Sequence, residues 1–241
     1  MTLVLMCLAA VVAAVIQRLT GLAFILVLIG PAVLVYGGVE GVTVAVLLAV
    51  VASLTAIPFA WRMLDARRTL WLLGAGLVAT PLGALLPRVL PETALLFVIA
   101  AMALIALLAP RFSRVTTTGL RGRRGMIIAG ATAGFMHASS GLSGPPLAAY
   151  AVADRWEQRS FAASAQVVLL GYGLVSLALR GLPATPVPEL AILGASAVVG
   201  ILIGSMLVDV VSAAVARSVM LWCAWAGAVV IVIRATVALL S

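Results

Sequence analysis

The chain has 241 residues, of which 65% are hydrophobic and only 9% charged, too little polar surface to cover a soluble globule. That composition describes an all-α polytopic membrane protein, and the apolar runs recur so continuously that they leave no separate soluble domain. All fifteen basic residues are arginine, and the net charge of +8 is explained by arginines in short inter-helix loops, so no nucleic-acid partner is expected.

The first apolar run, residues 2–16, looks like a signal-peptide core but lacks a basic leader and continues into more membrane sequence. It is followed by "QRLTG" and a second run at 22–36. Both legs are shorter than a hydrocarbon core of about 30 Å at about 1.5 Å per residue, so the pair reads as a broken or re-entrant helix. Three full spans follow at 42–60, 69–86 and 93–109. A basic loop, 110–124, precedes a second short pair, 125–136 and 147–153, interrupted by "GFMHASSGLSGPP" with the only histidine, His137. Three more spans follow at 161–179, 190–208 and 218–240. Cys7 and Cys223 lie inside apolar runs and read as small hydrophobes, not as a disulfide or metal pair.

A shift of 120 places relates the two halves. It lays "QRLTGL" over "HASSGL", pairing Gln17 with His137, Thr20 with Ser140 and Gly21 with Gly141, and it lays "LWLLGAG" over "LAILGAS". The arginine-dense segments 62–68 and 111–124 belong on the cytoplasmic side, which puts 37–40, 87–92 and 180–189 outside and 154–159 and 209–217 inside. Repeat one is then 1–116 and repeat two 117–241, each a broken pair followed by three spans. If each pair returns to its starting side, the second repeat is inverted, the plan of secondary transporters whose broken helices meet near the midplane.

The second leg of a broken helix begins with free N–H groups at a partly positive end, and anions bind there. Candidate binding residues around the two breaks are Gln17, Arg18, Thr20 and Gly21 in the first, and His137, Ser139, Ser140, Gly141, Ser143 and Gly144 in the second. The Thr20/Gly21 and Ser140/Gly141 N–H groups are expected to hold the anion, with hydroxyl donors from Thr20, Ser139, Ser140 and Ser143. No Asp or Glu falls inside a full span, which favours an anionic substrate over a cation. Arg18 is expected either to balance substrate charge or to snorkel to the headgroups. His137 is expected to bind the anion as a cation or to carry a coupling proton. Gln166 is expected to line the same cavity, and Tyr172 to hydrogen-bond between helices. Neither a metal nor a cofactor is expected.

The stretches "GFMHASSGLSGPPLAAY", "AVIQRLTGLAFILVLIGP", "LGAGLVATPLGALL" and "LGASAVVGILIGSML" resemble the TauE/SafE family of membrane permeases, the sulfite and organosulfonate exporter group. The resemblance implies a bacterial inner-membrane carrier for small sulfur oxyanions or sulfonates with its permeation site at the two Gly-rich breaks, where Gly21, Gly141, Gly144 and Pro145 match. The first half departs from that pattern in having only "TGLAFILVLIGP", and the second in "GLSGPP" instead of a run of glycines. Two alternatives stand beside it. A passive anion channel could use the same helix ends. "GLSG" also matches the nucleophile motif of rhomboid-type intramembrane proteases, with Ser143 as nucleophile, although those enzymes carry their histidine on a later helix.

Overall fold

The computed structural model describes residues 2–91, 94–102, 104 and 121–240. Among the described residues all regular structure is helical. In chain order the helices are α1 (Thr2–Thr20), α2 (Phe24–Tyr36), α3 (Gly38–Ala56), α4 (Ala66–Val89), the helical residues 94–102 (α5), α6 (Gly122–Ser140), α7 (Gly144–Ala153), α8 (Gln158–Arg180), α9 (Val187–Leu207) and α10 (Ala213–Leu240). Two single 3-10 turns, Ile57–Phe59 and Trp61–Met63, connect α3 to α4. Among the described residues five helices are long and apolar enough to cross a bilayer: α1, α3 with its 3-10 extension, α4, α8 and α9. The expected span at 93–109 lies partly outside the described residues, as does most of the basic loop 110–124.

The first legs are longer than hydropathy alone implied. α1 runs to Thr20 and α6 to Ser140, 19 residues each, so the polar residues 17–20 and 137–140 sit in helix and not in the break. They remain helical because each finds a partner inside the bundle, as detailed below. The interruptions themselves are three residues each, 21–23 and 141–143. The second legs stay short, 13 residues in α2 and 10 in α7.

Each first leg ends the same way. Gly21 (φ +92°) and Gly141 (φ +78°) take positive φ, and their N–H groups donate to the carbonyls of Gln17 (2.7 Å) and His137 (2.9 Å). Glycine adopts this left-handed cap at no steric cost, which explains why both positions, 120 apart, carry it.

Each pair then doubles back. At the start of α6, Gly122 N–H donates to Asp154 Oδ1 (3.1 Å) and Arg121 Nε to the Ala153 carbonyl (3.1 Å), so α7 ends where α6 began. α1 runs parallel to α9, with Val11 and Ala14 against Gly200 and Arg18 against Gly204. Tyr36, at the end of α2, donates to Glu189 at the start of α9 (2.6 Å), which returns α2 to the level where α1 started.

Segments from both halves meet at each end of the bundle. At the basic end Arg68 pairs with Asp154 (2.7 Å), Arg159 lies 3.7 Å from Asp209, and Gln158 reaches the Thr20 carbonyl (3.3 Å). At the far end Thr185 donates its N–H and hydroxyl to Glu40, and Arg88 donates to the Leu179 carbonyl. At each end the segments joined are ones that loop charge assigns to a single side, the two ends to opposite sides.

Packing crosses between halves. α1 lies on α9 and α4 on α6, while α3 and α8 cross at the centre, where Gly173 takes Val50 against its backbone. Small residues permit the close approach: a Cβ at Gly134 would collide with the Gly76 carbonyl oxygen. Exposed Leu and Val side chains such as Leu8, Val12, Val78 and Leu82 face outward from α1 and α4, as lipid-facing surfaces require.

Candidate functional site

The two breaks adjoin. A Cβ built on Gly144 would lie 3.7 Å from the Leu22 carbonyl oxygen, and one on Gly141 would meet the Ile25 side chain at 2.8 Å. Sealed around them is a set of polar side chains: Gln17, Ser53, His137, Ser139, Ser140, Ser143, Gln166 and Ser176 are all buried, with His137 at 0% exposure. Irregular backbone at membrane depth is tolerated only where protein or a lined cavity satisfies it, and these side chains do so here.

At the first break, Gln17 Nε2 donates to Gln166 Oε1 (2.7 Å) and to Ser53 Oγ (3.3 Å). Gln166 Nε2 in turn donates to the Gly21 carbonyl (3.1 Å), so α8 holds the break of the opposite half. Gln17 Oε1 has no partner among the described residues.

At the second break, His137 Nδ1 and Ser143 Oγ share a hydrogen bond of 3.0 Å that ties the end of α6 to the start of α7. His137 Nε2 is unpartnered and buried, facing α8, where a Cβ on Gly173 would stand 3.7 Å from it. Tyr172, one residue earlier, sits beside the imidazole with ring centroids 5.9 Å apart. Its hydroxyl donates to the carbonyls of Leu72 (2.6 Å) and Gly130 (3.2 Å), the inter-helix bond expected of it.

Several expected donors turn out to be occupied. The N–H groups of Gly21 and Gly141 close their own helices and are not free for a ligand. Thr20 donates back to the Ile16 carbonyl (2.8 Å), while Ser139 and Ser140 both donate to that of Met136 (3.2 and 3.0 Å). Short hydroxyl side chains in a helix have these carbonyls within reach, and no solvent competes for them here. The free backbone donors belong instead to the start of the second legs. α2 begins on Ala23 with no side-chain cap and offers a full set. α7 also lacks a side-chain cap, but Pro145 and Pro146 in its first turn remove two donors. The cradle is therefore asymmetric.

Arg18 turns away from the polar cluster. Its Nε donates to Ser205 Oγ (2.9 Å) and its guanidinium lies 6.0 Å from the Phe59 ring centre, half-buried toward the basic end. Arg180, assigned from sequence to an outer loop, does the opposite. It is the last residue of α8, and its Nη1 reaches back to the Ala138 carbonyl and, at 3.5 Å, to that of Ser139.

Ser53, Ser176 and Arg180 thus join the site although residue type and hydropathy did not single them out. Spacing held the signal. Ser53 is 120 residues before Gly173, so Gln17–Ser53 and His137–Gly173 are matching neighbours in the two halves. Gln166, Gly173 and Arg180 follow one another at seven-residue intervals along one stripe of α8.

Chemically the cluster offers uncharged or cationic donors and no acid. The described carboxylates that make contacts do so at the ends, Glu40 and Glu189 at one, Asp65, Asp154, Glu157 and Asp209 at the other. The serine–histidine contact is the one part of the protease reading that the geometry supplies. It engages Nδ1, and among the described residues no group orients the other ring nitrogen as a hydrolytic triad needs.

The family model described as Sulfite exporter TauE/SafE matches residues 6–231, a range that contains both breaks and every candidate residue. No curated protein and no solved structure matches the chain.

Proposed function

Because the chain belongs to the sulfite exporter TauE/SafE family, a family of membrane transporters for sulfur anions, we propose that it is a secondary transporter exporting sulfite or organosulfonates across a bacterial inner membrane by alternating access. Substrate sits between the two breaks, and one repeat rocks against the other around it. The observation that carries this reading is the meeting of two glycine-capped breaks, 120 residues apart, inside a buried cluster of donors that contains no carboxylate. The parallel packing of α1 on α9 and of α4 on α6 supports two repeats related by exchange.

The test is anion binding followed by flux. Purified protein should gain thermal stability with sulfite or a simple sulfonate and not with carboxylates, and proteoliposomes should show saturable sulfite flux. His137→Ala and Ser176→Ala should each weaken binding by about tenfold, the loss of roughly one buried hydrogen bond. Unchanged binding and flux in both variants would overturn the site. A large unitary conductance would replace the carrier by a channel. Peptide cleavage lost in Ser143→Ala while flux persists would restore the protease.

A further inference from the structure

α8 carries a stripe of polar and small residues facing the second break: Gly173 beside His137, Ser176 one turn on, and Arg180 one turn beyond that. Along it the unpartnered buried atoms accumulate, namely His137 Nε2, Ser176 Oγ, Arg180 Nε and Arg180 Nη2. No ion pair to Arg180 is present among the described residues, whereas Arg68 and Arg159 at the basic end both have carboxylates.

Capping the α6 terminus explains only part of this. Nη1 suffices for the Ala138 and Ser139 carbonyls, and a cation there also suits the helix dipole. Nε and Nη2 form the side edge of the guanidinium, the fork that takes two oxygens of an oxyanion at once. Leaving that edge desolvated and unmatched is costly unless an anion uses it. The repeat adds a second argument. Ala138 is 120 residues after Arg18, so the first half has its own arginine where the second has alanine, and Arg180 brings a guanidinium to that same place from α8.

Resting on the transport reading above, we propose that Arg180 is the principal charged ligand of the substrate anion, gripping two oxygens of a sulfite or sulfonate group through Nε and Nη2, with Ser176 and His137 as adjacent donors on the route toward the far end.

The experiment compares full-length wild type, Arg180→Gln, Arg180→Lys and Arg88→Gln in nanodiscs, titrated with sodium sulfite and with ethanesulfonate, and records unliganded thermal stability alongside. Arg88 is a control for charge at the same end, because it is exposed and among the described residues bonds the Leu179 carbonyl alone. Arg180→Gln should weaken sulfite binding by about 30-fold or more, as loss of a charged partner does. Arg180→Lys keeps the charge without the fork and should lose about five- to tenfold with stability near wild type. Arg88→Gln should bind within about twofold of wild type.

A wild-type affinity in Arg180→Gln, with or without a lower melting temperature, would reduce Arg180 to a helix cap and leave the transport reading intact. If Arg180→Gln does not fold, wild-type affinity in Arg180→Lys would equally overturn the fork. If wild type binds neither sulfur anion but binds nitrate or acetate in an Arg180-dependent way, the substrate class fails and the Arg180 assignment stands. Binding of no anion at all by wild type would overturn both.

Discussion

Gln166 receives from Gln17 and gives to the Gly21 carbonyl, and through these two bonds α8 sets the shape of a break in the other half of the chain. Replacing it by leucine keeps the volume but leaves the Gln17 amide and the Gly21 carbonyl without their partner in a buried place. The cost should be about 2–3 kcal/mol, expressed as a lower melting temperature and about tenfold weaker sulfite binding, while Gln166→Glu should bind more weakly still because it places a negative charge beside the anion. Wild-type sulfite affinity in Gln166→Leu would mean that the first break takes no part in the site. At this scale the sequence was partly readable. Gln17 and His137 stood out as polar groups at membrane depth and at matching positions. The local carbonyl partners of the Thr20, Ser139 and Ser140 hydroxyls are not legible in the sequence, because they exist only if the first legs stay helical to residues 20 and 140, which hydropathy does not indicate. Arg180 was hidden by its neighbours: Gly181 and Pro183 mark a loop, and nothing in residue type reveals that a long side chain folds back along its own helix.

Among the elements, the α6–α7 hairpin depends on its closing contact at the basic end. Burial pushes the Asp154 carboxyl up, but the Gly122 N–H, the Tyr150 hydroxyl and Arg68 outweigh that and hold it below its ordinary 3.8. A carboxyl lowered on folding contributes stability that is complete above the unfolded value and fades as pH falls through the lower folded one. Wild type should therefore exceed Asp154→Asn by about 2 kcal/mol at neutral pH, and the gap should narrow only below pH 3.8. The readout is the difference in melting temperature between the two proteins across a pH series. A gap that closed well above pH 4, or none at neutral pH, would show that the hairpin does not rely on this charge. Element lengths illustrate what a hydropathy window misses. It ended the first legs at 16 and 136 because polar residues follow, whereas in the bundle those residues are paired and helical, and only a positive-φ glycine stops each leg. The second break is readable because glycine and proline cluster there, and the first through its match to the second at a spacing of 120 residues.

For the molecule as a whole, the consequential property is that both hairpins return to the end they left. The geometry behind this is Tyr36 on Glu189 for the first and Asp154 on Gly122 for the second. If three spans follow each hairpin, as loop charge and hydropathy predict, the two halves enter the membrane from opposite faces, a condition that alternating access between equivalent repeats requires. Loop charge assigns the arginine-dense end to the cytoplasm, since arginines resist translocation. Sequence alone could propose the inversion but not choose between a returning and a crossing pair, because a 13-residue apolar leg is compatible with either. Cysteine labelling in cells decides it. In a background with Cys7 and Cys223 changed to alanine, a membrane-impermeant maleimide should label Thr2→Cys, Val39→Cys and Leu182→Cys in intact spheroplasts, and Arg155→Cys only after permeabilisation. Val39 and Leu182 are exposed, at 42% and 78%, so reactivity there reports sidedness and not burial. Thr2 and Val39 flank the first hairpin, and opposite sidedness for these two would mean that it crosses the membrane. The halves would then share one orientation, and a rocking mechanism between inverted repeats would have no structural basis.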